Sequence, residues 1–306
     1  MEPDYATLID AETWAFIAQT ARYYPADAIT QSVAEQRAVY DRMCRAFWRG
    51  YPAGVTARDA DLAGVPVRRY VAGAGRGPAR LVYLHGGGFV VGGLDSHDDI
   101  CAEFCAGTGF EVISADYCLS PDHFHPAAYN DALAVTRAVL AEGGPVLVGG
   151  DSAGATLAAS VALTLGRALH GHVLIYAGLG ADMTAGSYVT HAAAPMLTTQ
   201  ESLFYSQIRA APGQQLAREA TAQPLAALDY SGLSPVFAVS AECDPCCDDA
   251  AIWVDRVRAA GGRGVWVKEP GLVHGYLRAR ATSRRAAASF ERIIAAMSRL
   301  GHGAAP

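Results

Sequence analysis

The sequence of 306 residues predicts an α/β fold, in which helices cover both faces of a mostly parallel sheet. From about residue 62 onward, short apolar runs alternate with helical patterns, and the connections between them are short. The runs Leu81-Val82-Tyr83-Leu84 and Val146-Leu147-Val148 are continuously apolar, which is typical of parallel strands buried on both faces. The chain is long enough for one large domain, or for one domain with a small lid.

Seven strands and five helices are predicted in this part of the chain. The predicted strands are Val65–Val71, Arg80–His85, Glu111–Asp116, Val146–Gly149, His172–Tyr176, Pro235–Ser240 and Val265–Lys268. The predicted helices are Asp98–Gly107, Ala127–Ala141, Ala153–Leu169, Asp248–Ala260 and Thr282–Leu300.

Two further segments lack this alternation. The N-terminal segment has apolar residues at helical spacing over Ala6–Gln19 and Val33–Arg49. Residues 178–230 contain no clear strand and only a short helical pattern, Thr199–Ile208, and an insertion of this length is usually functional. We therefore predict a helical cap made of residues 1–55 and the insertion 178–230. The catalytic domain would comprise residues 56–177 and 231–306.

Composition and charge exclude several classes of protein. The net charge is −6 with mixed signs, and the nearest basic cluster, Arg278, Arg280, Arg284 and Arg285, is interpreted as a solvated helix face, so no nucleic-acid partner is predicted. The sequence contains no run of about 18 apolar residues, so no membrane span is predicted. The first residues do not resemble a signal peptide, which favours a cytoplasmic location. Seven cysteines, an odd number, indicate reduced thiols.

The first chemical motif is Gly150-Asp151-Ser152-Ala153-Gly154. It follows a predicted strand and opens a predicted helix, which is the context of a nucleophile elbow. The glycines let strand and helix approach closely, and Ser152 gains from the positive end of the helix dipole. The sequence therefore predicts Ser152 as a nucleophile.

A glycine run, His85-Gly86-Gly87-Gly88, follows the predicted strand that ends at Leu84. Three successive glycines lose much entropy on folding and add no packing. They are useful where backbone N–H groups must approach a ligand closely. Together with the N–H of Ala153, this run is predicted to form an oxyanion hole.

Two further candidates, Asp244 and His274, each follow a predicted strand. Residues at the carboxyl ends of parallel strands lie at the edge of the sheet where ligands bind in such folds. The chain order Ser152, Asp244, His274 is the α/β-hydrolase order of nucleophile, acid and base. These three residues are therefore the predicted catalytic triad.

With these motifs, the chain resembles the bacterial hormone-sensitive-lipase-like esterase family. The resemblance covers about residues 62–280, and more loosely the cap. It rests on His85-Gly86-Gly87-Gly88-Phe89-Val90 with Gly92 and His97, on Asp116-Tyr117, Pro121-Asp122-His123 and Pro126-Ala127-Ala128, on the serine motif, on Asp244-Pro245 with Asp248, on His274-Gly275-Tyr276, and on Pro195-Met196-Leu197-Thr198. The chain departs from the family pattern at Cys118, His125 and Cys246.

The resemblance implies an α/β-hydrolase fold with an eight-stranded sheet and a helical cap. It also implies carboxylesterase activity on short acyl esters, without metal or cofactor. The implied oxyanion donors are Gly86, Gly87 and Ala153. Gly88, Phe89, Asp151 and Met196 are the candidate substrate contacts.

Several alternatives remain open at this point. The same triad would serve an amidase, a lactonase or a deacetylase. Some relatives bind a small molecule without catalysis, but they lack the histidine that is present here as His274. Cys243 and Cys246 form a C-x-x-C pair that could indicate a redox or zinc site. A homodimer is a further expectation, which no residue of the sequence specifies.

Overall fold

Eight strands and ten α-helices form the described part of this computed structural model, residues 3–25, 27–73 and 77–306. The strands are β1 (Val55–Leu62), β2 (Val65–Ala72), β3 (Arg80–Leu84), β4 (Glu111–Ala115), β5 (Val146–Asp151), β6 (Gly171–Ile175), β7 (Val236–Cys243) and β8 (Gly264–Val273). The helices are α1 (Tyr5–Leu8), α2 (Ala11–Ala21), α3 (Val33–Phe47), α4 (Asp98–Thr108), α5 (Ala127–Ala141), α6 (Ala153–Leu165), α7 (Ser187–Thr190), α8 (Thr199–Ile208), α9 (Cys247–Ala259) and α10 (Arg284–Gly301).

All eight strands belong to one sheet, in the order β1-β2-β4-β3-β5-β6-β7-β8. β2 is antiparallel to both of its neighbours, β1 and β4, and every other neighbouring pair is parallel. The predicted mostly parallel eight-stranded sheet is therefore confirmed. Because the parallel strands point the same way, the carboxyl ends of β3, β5, β7 and β8 meet at one edge of the sheet.

Strand β1 was not among the strands predicted from the local pattern. It is an edge strand that pairs only with β2, and Val55 is its one buried residue. Arg58, Asp59 and Asp61 give it the polar character of a loop. Since its exposed face needs no apolar residues, hydrophobic periodicity could not reveal it.

Helices form a layer on each face of the sheet. Helices α4 and α10 share one core, where Phe104 and Phe290 stack with their ring centroids 4.8 Å apart. The N-terminal helices extend this core, and Phe16 contacts Phe47 edge-to-face at 5.4 Å. Helices α5, α6 and α9 cover the other face, where Trp253 of α9 is completely buried. Both faces are thus sealed, as a parallel sheet requires.

The basic cluster before α10 is not the solvated helix face that the sequence suggested. The Arg280 side chain is only 3% exposed and pairs with Asp99 at 2.7 Å. Arg278 donates to the carbonyl oxygen of Ser96 at 2.9 Å. Only the later arginines of the cluster are open, with Arg284 91% exposed. The prediction failed for Arg278 and Arg280 because their partners lie about 180 residues earlier and leave no local pattern.

Candidate active site

Ser152 lies in the sharp turn between β5 and α6. Its φ of 52° and ψ of −120° are strained for a residue with a side chain. A Cβ atom on Gly150 would lie 2.3 Å from the carbonyl oxygen of Leu84, and one on Gly154 would lie 1.8 Å from the same atom. Glycine at both positions therefore lets strand and helix close, and the turn presents the serine hydroxyl at the carboxyl edge of the sheet.

The structure brings the three predicted triad residues together. Nε2 of His274 lies 2.8 Å from Oγ of Ser152, and Nδ1 of His274 lies 2.7 Å from Oδ2 of Asp244. Asp244 follows β7 directly and is completely buried. Its second oxygen, Oδ1, accepts the backbone N–H of Cys246 at 2.8 Å. These contacts orient the imidazole so that Nε2 can receive the serine proton.

The surroundings of His274 tune its basicity. Burial lowers the pKa of His274, but the charge of Asp244 and its hydrogen bond outweigh burial, so the pKa lies above the usual histidine value. A raised pKa makes the neutral imidazole a better proton acceptor. The site is therefore electrostatically suited to general-base chemistry near neutral pH.

A cradle of N–H groups lies beside the serine. Gly87 has φ of +132° and Gly88 has φ of +59°, conformations that favour glycine. A Cβ atom on Gly87 would lie 2.0 Å from the carbonyl oxygen of Val91, so this loop has no room for a side chain. Within the described residues, the N–H groups of Gly87, Gly88 and Ala153 donate to no protein acceptor. Ala153 is buried, and Gly87 and Gly88 are half-buried at the cavity wall, so these N–H groups are free to donate to a ligand oxygen.

The position of Gly86 does not favour its predicted role as an oxyanion donor. Its N–H donates to Oδ1 of Asp151 at 3.0 Å and is therefore occupied. The glycine next to the sheet anchors the loop, and the next two glycines carry the free N–H groups. We accordingly replace Gly86 by Gly88 among the proposed oxyanion donors.

Asp151 supports this loop from below. It is buried, and in addition to Gly86 it accepts the hydroxyl of Tyr83 at 2.7 Å and that of Tyr176 at 3.2 Å. Nε2 of His97 lies 3.3 Å from its other oxygen. Although Asp151 borders the cavity, both of its oxygens are bonded to protein groups. Its contacts favour a positioning role over a direct substrate contact.

A cavity of about 190 Å³ opens above Ser152. The other candidate substrate contacts, Gly88, Phe89 and Met196, line it. Phe89 and Met196 both have positive φ, 65° and 77°, which holds their side chains in an unusual backbone setting. The structure thus places all four candidate residues at the cavity, although the carboxylate oxygens of Asp151 are bonded to protein groups.

Both predicted cap segments border this cavity. Tyr24 of the N-terminal segment and Tyr205 of α8 line it, and their hydroxyl oxygens are 3.3 Å apart. A Cβ atom on Gly88 would lie 2.3 Å from the Tyr205 ring, so α8 rests directly on the glycine loop. Tyr205 and Arg209 were not predicted as site residues, because helix α8 carries no motif that distinguishes them.

The cysteine pair does not form a separate centre. All seven cysteines are free thiols, and Cys243, Cys246 and Cys247 are buried. Burial raises the pKa of Cys243 to about 12, which disfavours the reactive thiolate. Among residues 3–25, 27–73 and 77–306, no group of three or more histidine, cysteine or acidic side chains is arranged to hold a metal ion.

No helix within the described ranges is both long and apolar enough to cross a bilayer. The cytoplasmic location and the homodimer stay predictions.

Comparison with known families gives one match over most of the chain. A model described as alpha/beta hydrolase fold matches residues 81–278. Carboxylesterase NlhH of Mycobacterium tuberculosis is 35% identical over 237 residues, which cover 72% of this chain and 74% of the relative. Ethyl acetate hydrolase of Pseudomonas putida is 32% identical over 213 residues, covering 65% and 66%.

Solved structures agree over nearly the whole chain. DphMB1 superposes with a TM-score of 0.87 at 31% identity, covering 97% of this chain and 99% of that protein. The hyperthermophilic esterase of the archaeon Pyrobaculum calidifontis gives a TM-score of 0.87 at 26% identity, covering 96% and 99%. The similarity therefore includes the predicted cap segments as well as the sheet.

Proposed function

Since the chain belongs to the bacterial hormone-sensitive-lipase-like family of α/β-hydrolases, we propose that it is a serine carboxylesterase for esters with short acyl chains. The observation that carries this proposal is the hydrogen-bonded series Ser152–His274–Asp244, at 2.8 and 2.7 Å, beside unoccupied N–H groups. Relatives named as a carboxylesterase and an ethyl acetate hydrolase support the same reaction class.

In the proposed first step, Oγ of Ser152 attacks the ester carbonyl carbon. Nε2 of His274 takes the serine proton, and Asp244 stabilises the imidazolium and holds it in the required tautomer. The carbonyl oxygen becomes an oxyanion that the N–H groups of Gly87, Gly88 and Ala153 stabilise. Removing one such donor typically costs about 3 kcal/mol of transition-state stabilisation.

The proposed second half repeats this chemistry with water. His274 gives its proton to the departing alcohol oxygen, and an acyl-enzyme on Ser152 remains. Water then transfers a proton to His274 as its oxygen attacks the acyl carbon. Collapse of the second tetrahedral intermediate releases the carboxylic acid and restores the serine hydroxyl.

The small cavity supports the preference for short chains. Its volume of about 190 Å³ is below the range of roughly 300–1,000 Å³ that is common for ligand pockets. Tyr24 and Tyr205 close it from the cap. Amidase, lactonase and deacetylase activities need the same triad, and no contact of the described residues favours them over ester hydrolysis.

A series of p-nitrophenyl esters from acetate to palmitate tests the proposal. We expect the highest kcat/KM at short chains, a burst of p-nitrophenol, and no turnover by Ser152→Ala or His274→Ala, both with unchanged circular dichroism. Most of the activity surviving in Ser152→Ala would refute the mechanism. A maximum at long chains would instead indicate a lipase, and binding without any turnover would indicate a receptor.

A further inference from the structure

A buried cation lines the cavity and plays no part in the proposed mechanism. Arg209 follows α8 and has 5% of its surface exposed. Its guanidinium carbon lies 4.2 Å from the centre of the Phe89 ring. Phe89 directly follows Gly88, so this positive charge is one residue away from the proposed oxyanion cradle.

Most of the hydrogen-bonding capacity of Arg209 is unused. Nη2 donates to the carbonyl oxygen of Ala222 at 2.5 Å, which is a neutral acceptor. Nε is buried without a partner, and Nη1 has no acceptor among the described residues. Burial lowers the pKa of Arg209 to about 10, so the group remains a cation at neutral pH. A buried charge is normally paired, because removing it from water is unfavourable.

Two acidic side chains of the same insertion have other partners. Glu219 lies 3.4 Å from Nε2 of His125. Glu201 lines the same cavity, but it closes the N-terminus of α8 by accepting the N–H and hydroxyl of Thr198. Glu201 and Arg209 lie at opposite ends of α8, about 12 Å apart along the helix axis. The cavity is therefore polarised, and no carboxylate of the described chain lies within 4 Å of the Arg209 guanidinium.

We propose that the missing partner of Arg209 is a carboxylate of the substrate, so that the enzyme acts on esters that carry a second, ionised acid group. This inference rests on the proposed esterase function and specifies its substrate class. A guanidinium presents its donors in a planar fork that matches a carboxylate. With the reacting carbonyl in the cradle at Gly88, such a substrate would be held at two points. Half-esters of dicarboxylic acids have the required chemistry.

Matched pairs of esters test this proposal. Monoethyl succinate, glutarate and adipate are compared with ethyl butanoate, pentanoate and hexanoate, which have the same number of acyl carbons and no charge. O-Acetylglycolate against ethyl acetate places the charge on the alcohol side instead. The readout is the ratio of kcat/KM for the anionic ester to that for its neutral partner. Comparing this ratio between variants removes differences in intrinsic reactivity.

Arg209→Met removes the charge and keeps a long side chain, whereas Arg209→Lys keeps the charge and loses the fork. Arg218→Met is the matched control, because it removes an exposed cation from the same insertion. For at least one pair we expect the ratio to fall about tenfold or more in Arg209→Met and less in Arg209→Lys. We expect Arg218→Met to keep the wild-type ratio.

An unchanged ratio in folded Arg209→Met, for every pair, would overturn the inference. If Arg209→Met does not fold, calorimetry with the Ser152→Ala variant decides the question. This variant must bind each anionic half-ester more tightly than the neutral ester of equal length, and equal affinities would overturn the inference. Wild-type turnover of neutral esters without any preference for the anionic ones would remove this inference and leave the proposed function intact. Absence of turnover for all esters would remove both.

Discussion

The replacement Asp244→Asn tests the role of the acid in the triad. In the structure, Oδ1 of Asp244 accepts the N–H of Cys246 at 2.8 Å, and Oδ2 faces Nδ1 of His274 at 2.7 Å. An asparagine has a single acceptor oxygen, and the Cys246 N–H requires that oxygen on its own side. The amide NH₂ group must then point at Nδ1 of His274. This forces Nδ1 to accept and places the imidazole proton on Nε2.

In that tautomer His274 cannot take the proton of Ser152. The expected loss in kcat is about ten-thousandfold, or about 5 kcal/mol, as for the equivalent change in other serine hydrolase triads. Because the two side chains have the same shape, the fold should be preserved. The assay is steady-state hydrolysis of p-nitrophenyl acetate, together with a urea unfolding curve.

The control is Asp248→Asn, four residues further along. Asp248 accepts the N–H of Ser187 at 2.8 Å, and an asparagine oxygen can keep that bond. We expect its kcat to stay within about threefold of the wild type, because the change keeps the bond to Ser187 and leaves the Asp244–His274 hydrogen bond in place. A folded Asp244→Asn enzyme with more than one tenth of the wild-type kcat would refute the tautomer argument.

Three further predictions follow from the site and its supports. Asp244 raises the pKa of His274, and only the neutral imidazole accepts a proton. The value of kcat/KM for a neutral ester should therefore rise with pH to a plateau, with the midpoint of the rise above about pH 6.5. A pH profile with a lower midpoint would contradict this. Tyr205→Ala should enlarge the cavity and move the optimum of the ester series to longer chains, and an unchanged optimum would show that the ring does not limit chain length. Arg280→Ala should lower the free energy of unfolding by about 3–5 kcal/mol, because it leaves the buried Asp99 without its ion-pair partner, whereas the exposed Arg284→Ala should change it by about 0.5 kcal/mol or less in urea titrations; equal effects would refute the burial argument.

Much of the fold was predictable because a parallel sheet buried on both faces needs continuous apolar strands. Leu81–Leu84 and Val146–Val148 therefore stood out. The exact ends of the helices and strands were harder to predict from the sequence. Helix α6 was expected to reach Leu169, but it ends at Leu165, because Gly166 adopts a φ of +50° and terminates it. Strand β8 continues to Val273 through Pro270, a residue that local patterns treat as a strand breaker.

The site was predictable where its chemistry imposes a local motif. Ser152 needs small neighbours, and the order of Ser152, Asp244 and His274 identified a candidate triad that the structure brings within hydrogen-bonding distance. The motif could not show that the N–H of Gly86 is already bonded to Asp151, since that depends on tertiary contacts. Arg209 was missed for the same reason, because only the tertiary structure shows that no carboxylate of the described residues pairs with its guanidinium.

The contact of Tyr205 with Gly88 couples substrate size to turnover. The aromatic ring lies against that glycine and lines the cavity, so a substrate group that displaces the ring also disturbs the glycine loop. The loop would then lose the support that keeps its N–H groups aligned with the reacting oxygen, and a displacement of about 1 Å can slow a reaction about a hundredfold. Oversized esters should therefore still bind but react slowly, so that discrimination between substrates is expressed in kcat more than in KM.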